Sequence, residues 1–277
     1  MSLQDEIEAL YAQDPSALNR AKALQHFNEF KFFLNRGDIR AAERVGEMWT
    51  VHEWVKKGIV LGFRLGVLTE VPSGGTFRFF DKSTYPLRHT HPEEGIRLVP
   101  GGSSIRDGVY LGRGVICMPP MFINVGAYID ADTMIDSHVL VGSCAQVGKR
   151  VHIGAGTQLG GVLEPVGSLP VIIEDDVLVG GNCGIFEGAI VRRGAVLGAG
   201  VTLTGSTPLY DVVNRTVYRR HSGRPLTIPE RAVVVPGSRP IDDAWARAEH
   251  LSVATPVIIK YRDEITAGAT ALEADLR

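Results

Sequence analysis

Carboxylates, imidazoles and thiols are the side chains here that could do chemistry. Asp130, Asp132 and Asp136 fall within seven residues, and Glu187 ends the segment GGNCGIFE. A carboxylate can act as a general base, but it is a weak base in water, and burial is the usual way to strengthen it. Asp136 stands out because it follows Ile135 directly, at a place where related segments carry glycine. Asp130 and Asp132 read as turn residues. A zinc site on side chains of one scaffold needs about three well-placed ligands. The central segment offers only His138 and His152, fourteen residues apart. His152 reads as a turn decoration, and His89 and His91 as solvated loop residues. Cys117, Cys144 and Cys183 form no CxxC pair and no ligand cluster.

The elements that must position these groups come from a repeat. Every sixth residue from Ile105 reads Ile105, Leu111, Cys117, Ile123, Ile129, Ile135, Val141, Val147, Ile153 and Leu159. It resumes as Ile173, Val179, Ile185, Val191, Leu197, Leu203 and Leu209. Sixteen of these 17 positions are aliphatic. A second register four residues later is small or β-branched, with Val115, Ala127, Thr133, Val151, Thr157 and Ala195 among its members. Period six fits neither an α-helix nor a plain strand. It fits a short strand and a tight turn wound repeatedly, three hexads to a triangular coil, with coils stacked on one another. Glycine after the aliphatic residue, as at Gly154 and Gly180, is expected to serve turn dihedrals. The phase breaks once, between Leu159 and Ile173. There GGVLEPVGSLP reads as a two-residue insertion that pushes a loop out of the coil.

The flanks lack the hexad. Residues 1–100 are expected to form a mostly helical domain, with a helix start at Asp14-Pro15, a second helix over 49–65 and a hairpin over 69–85 about Gly74-Gly75. Residues 101–210 form the β-helix, with its loop near 161–171. Residues 211–277 form a small β/α cap with strands over 212–218, 231–235 and 257–261, a loop over 221–229 and a closing helix over 267–276. Net charge is −2, which offers no basic field for nucleic acid or an anionic membrane. No apolar run approaches a membrane span, and the acidic start is unlike a secretory signal, so a cytoplasmic location is expected.

Longer motifs are more discriminating than the hexad. GIRLVP (95–100), INVGAYID (123–130), TMID (133–136), VGSCAQVGK (141–149), GGVLEP (160–165) and VIIEDDVLVGG (171–181) together resemble the central domain of the tetrahydrodipicolinate N-succinyltransferases. VHEWVKKGIVLGFRL (51–65) and FDK (80–82) are similar to that family as well. The likeness covers roughly residues 40–260. It implies a left-handed parallel β-helix, mainly β, working as a homotrimer with active sites between adjacent prisms. It also implies a reaction: the amine of ring-opened tetrahydrodipicolinate attacks the thioester of succinyl-CoA, giving N-succinyl-2-amino-6-oxopimelate and CoA in lysine and diaminopimelate biosynthesis, with no metal.

The same resemblance places Arg97 on a substrate carboxylate, where a planar guanidinium suits bidentate binding. It makes Asp136 the active-site aspartate, with Gly161 beside the substrate. One departure is visible. Family members carry an acidic residue three before the glutamate of the Glu-Gly pair, and here that place holds Gly184, leaving Glu187 as the nearest carboxylate. Either Glu187 takes the partner role or Asp136 works with water. Coenzyme A is expected along a groove between coils lined by Gly161, Gly180, Gly198, Ala199 and Ser206, with Lys149, Arg224 and Lys260 near its phosphates. An acetyl-CoA-dependent enzyme on the same scaffold is the nearest alternative. A zinc enzyme of the γ-carbonic anhydrase type and a non-catalytic β-helix are more distant ones.

Overall fold

The computed structural model describes residues 2–71, 78–221 and 224–263. The expected turn about Gly74-Gly75 and the expected closing helix over 267–276 lie outside those residues, as do two residues of the expected 221–229 loop. The hexad positions build a three-faced parallel prism. Ile129 pairs in register with Val147, eighteen residues on, so three hexads close one coil. Face one stacks Leu98, Cys117, Ile135, Ile153, Val179, Leu197 and Val234. Face two stacks Ile105, Ile123, Val141, Leu159, Ile185 and Leu203. Face three stacks Leu111, Ile129, Val147, Ile173, Val191 and Ile228. All 17 hexad residues lie in one buried cluster, none more than 4% exposed. Two corner threonines, Thr133 before the face-one strand and Thr157 before the face-two strand, are buried without polar cost. Thr133 Oγ1 donates to the Gly148 carbonyl at 2.8 Å and accepts from the Val151 N–H at 3.0 Å, and Thr157 Oγ1 donates to the Gly180 carbonyl at 3.0 Å.

The glycines that follow the core residues serve close approach rather than turn dihedrals. A Cβ on Gly154 would lie 2.7 Å from the Val179 carbonyl oxygen, and one on Gly180 would lie 2.6 Å from the Ala199 nitrogen. Neither has a positive φ. At most corners the left-handed residue instead sits three after the core position, as at Asp132, His138, Cys144, Arg150, Asp176 and Asn182. The excursion is also longer than its phase suggests. Leu159 and Ile173 occupy consecutive faces, and Val147 pairs with Ile173, twenty-six residues on rather than eighteen. Eight residues are therefore inserted. Two and eight differ by one hexad, so period-six counting could not separate them. A second excursion follows Leu203. The place of the next core residue on face three goes to Ile228, not to Leu209, and Val234 then continues face one. The prism thus runs past residue 210. Leu209–Asp211 instead joins a sheet extension made by Thr216–Tyr218, Ser252–Tyr261 and Ala232–Pro240.

Toward the amino terminus, α1 (Leu3–Ala12), α2 (Arg20–Arg36) and α3 (Glu53–Leu65) pack together. Asp14-Pro15 does not start a helix. Asp14 Oδ1 accepts from the Ser16 N–H in a turn, and α2 is capped by Asn19, whose side chain accepts from Lys22 N. Asn19 is the stronger cap because its side chain reaches an otherwise unpaired N–H of the first turn. Residues 48–51 are not helical either. Met48–Val51 pairs antiparallel with Ala42–Val45. Helix α3 buries Val55, Ile59, Leu61 and Leu65 in a second core that also takes Val125 and Cys144. Those two residues lie on the edge between faces two and three. The helical domain is thereby clamped to the edge from which the first excursion leaves.

Candidate active site

A cleft of about 870 Å³ opens on this same edge. Its walls come from the excursion (Gly160 to Val162, Glu164, Pro165, Gly167 to Leu169), the corner Phe186 to Gly188, Thr204, and Arg220, Arg224 and Pro225, with Trp49 and Val51 closing one side. The excursion is held by the helical domain. Lys56, fully buried, donates from its ammonium to the Ser168 carbonyl. Burial holds the Lys56 ammonium below its ordinary 10.5. Trp49 Nε1 donates to Glu174 Oε1 at 2.9 Å, which fixes the other wall to face three.

Of the residues singled out from sequence, Gly161, Glu187 and Arg224 meet in this cleft. Glu187 is held by two contacts. Its Oε2 accepts from the Gly205 N–H at 2.8 Å and lies 3.9 Å from Arg220 Nη1. Its backbone is strained, with φ 53°, followed by Gly188 at φ 73°. Gly188 is the left-handed residue three after the core position that most corners carry, so a left-handed glutamate just before it is a local departure. Gly184 has a steric reason. A Cβ there would lie 2.6 Å from Phe186 Cε2, so the ring of Phe186 fills the space that an acidic side chain at 184 would need.

Arg97 and Asp136 lie elsewhere, Arg97 on face one and Asp136 just past that face, two coils or roughly 10 Å apart along the stack at the usual strand spacing. Asp136 follows its core neighbour Ile135 at the edge between faces one and two, half-buried, with Oδ1 accepting from the Ser137 N–H at 2.7 Å. Its Oδ2 lies 3.8 Å from Nε2 of His152. His152 is thus more than the turn decoration expected from its place in the hexad. The signal that pairs the two was the coil length: eighteen residues place His152 beside Met134, diagonal to Asp136. Above Asp136 the same column carries Gly154, Gly180 and Gly198, with the exposed Ala199 after the last. Those glycines are there because a Cβ on any of them would press on the backbone of the next coil. Lys149 is exposed at the edge between faces three and one, Ser206 is exposed beyond Thr204, and Lys260 lies on Ser252–Tyr261 opposite Val233. One copy of the chain therefore does not gather the expected coenzyme contacts into one place.

Among the described residues, no group of three or more His, Cys, Asp or Glu could hold a metal ion, and no helix is long and apolar enough to cross a membrane. Residues 2–65 match the family described as tetrahydrodipicolinate N-succinyltransferase N-terminal, and residues 170–205 match the hexapeptide repeat of succinyl-transferase. The first match reaches into the opening 40 residues, where motif likeness alone was loose. A 2,3,4,5-tetrahydropyridine-2,6-dicarboxylate N-succinyltransferase of Nitrobacter hamburgensis is 40% identical over 88% of this chain and 86% of its own length. One from Sodalis glossinidius is 37% identical over 100% of this chain and 98% of its own. At that identity across that length, the chain belongs to the 2,3,4,5-tetrahydropyridine-2,6-dicarboxylate N-succinyltransferase family.

Proposed function

We propose that this chain transfers a succinyl group from succinyl-CoA to the amine of ring-opened tetrahydrodipicolinate, in the cytoplasm, as a homotrimer. One observation carries the reading. Arg97 lies on face one and Asp136 at the one–two edge beside it, while Gly161, Glu187 and Arg224 line a cleft one face-width from that edge. These two sets meet only if the one–two edge of one copy faces the two–three edge of the next, as three prisms around a threefold axis would arrange. The acceptor then lies in the cleft, with a carboxylate on the neighbouring copy's Arg97. Asp136 takes the proton as the amine attacks the thioester carbon. The tetrahedral oxyanion is met by a backbone N–H, and its collapse expels the CoA thiolate. The pantetheine arm runs along the Gly154, Gly180 and Gly198 column, three coil steps or roughly 14 Å from Asp136.

Thiol release from succinyl-CoA, with and without tetrahydrodipicolinate, tests this. Wild type is expected to release CoA only with the imine present. Asp136→Asn is expected to lose about 10²- to 10⁴-fold in kcat, the usual range for a general base. Release with acetyl-CoA but not succinyl-CoA would move the donor assignment. No release with either would discard the reaction.

A further inference from the structure

Phe186 sits on the cleft wall with two glycines shaped to it. A Cβ on Gly184 would lie 2.6 Å from Cε2 and 3.1 Å from Cζ of its ring, and one on Gly160, in the preceding coil, would lie 2.8 Å from Cδ1. The ring therefore packs on face two between Gly184 of its own strand and Gly160 of the preceding coil, and cannot keep that pose beside any larger residue at either place. It is followed by the doubly left-handed Glu187-Gly188 corner, which is pinned through Gly205. Leu169 and Pro165 continue the apolar wall. Two guanidiniums face the same space. Arg220 is shared with Glu187, whereas Arg224 has no side-chain hydrogen bond or ion pair among the described residues. A flat aromatic surface with an uncommitted cation beside it is suited to a hydrocarbon chain that ends in a carboxylate.

We infer that Phe186 is the specificity-determining wall of the acceptor subsite. The methylene carbons of the open-chain dicarboxylate lie on its ring, and Arg224 takes the carboxylate remote from the attacking amine. This rests on the reading of the cleft as the acceptor site, and it adds why Gly184 replaces a carboxylate: the acceptor meets an apolar surface there instead of a second acid.

The test is steady-state kinetics on the full chain, with each substrate varied separately, and calorimetric binding of heptanedioate as an unreactive seven-carbon dicarboxylate. Phe186→Ala is expected to raise the acceptor KM about ten-fold, the effect of losing one apolar contact surface, and to leave the succinyl-CoA KM within about two-fold. Arg224→Gln is expected to weaken heptanedioate binding to a similar degree. Gly184→Ala is expected to raise the acceptor KM by displacing the ring, and to add nothing in the Phe186→Ala background. Phe186→Leu, which keeps an apolar wall, should fall between, and serves if the alanine variant does not fold. A Phe186→Ala enzyme that loses succinyl-CoA affinity instead, or a Gly184→Ala effect that persists without the ring, overturns the assignment while the reaction stands. Wild type that binds heptanedioate through Phe186 but turns over neither donor leaves the wall in place and removes the reaction.

Discussion

Lys56→Met isolates what the helical domain does for the cleft. Lys56 is fully buried on α3, and its ammonium donates to the Ser168 carbonyl, tying the excursion to the helices. A hydrogen bond from a charged donor contributes about 1.5–3 kcal/mol. Its loss should raise the opening equilibrium of the loop roughly 10- to 150-fold. Methionine keeps most of the stem and removes the cost of burying a charge, so global stability should change much less than the loop does. Hydrogen exchange of a peptide covering 160–170, with a coil peptide from the prism as internal reference, reads the local term directly. The acceptor KM should rise with it, because the same loop forms one side of the cleft. A pH signature accompanies the change. The folded ammonium titrates below its ordinary 10.5, chiefly because of burial, so between those two values the unfolded chain binds more protons. Stability therefore gains a rising component as pH climbs through that window, and Lys56→Met should remove it. Loop exchange within about two-fold of wild type would refute the reasoning.

Two further expectations concern the scaffold. The thiols of Cys117 and Cys144 are fully buried, and burial pushes each up to about 12, with Cys183 also raised. A thiol reagent at pH 8 should leave the folded protein nearly unmodified and titrate all three only after denaturation; a fast-reacting thiol in the folded state would contradict this. Asp211, 2% exposed, accepts from the N–H groups of Val213 and Asn214 at 3.0 Å, from Asn214 Nδ2 at 2.8 Å and from the Tyr261 hydroxyl at 2.7 Å. Burial alone would raise its carboxyl; these hydrogen bonds outweigh it and hold it below 3.8. Its contribution is thus complete above 3.8 and lost as pH falls through the lower folded value. Asp211→Asn should lower the melting temperature at pH 7 and flatten the acid limb of a stability–pH curve. An unchanged acid limb would show that the bonds carry no net stability.

The prism was legible in the residue order because its cause is local and repeated. Each aliphatic side chain six residues from the last must face the same interior, so Ile105 through Leu159 fell into their coils by counting. Asp136 was legible for the same reason: a residue directly after a core position is turned outward at a corner. Counting failed where the chain left the coil. It could not separate an insertion of two residues from one of eight. It gave Leu209 a place in the stack that Ile228 takes, because a period says nothing about how far the chain travels before it returns. The ring of Phe186 over Gly184 and the hold of Lys56 on Ser168 join residues that the sequence keeps apart by two positions and by 112. Their meeting depends on side-chain direction and on the stacking of coils and helices, and those are properties of the packed molecule that no spacing in the chain encodes.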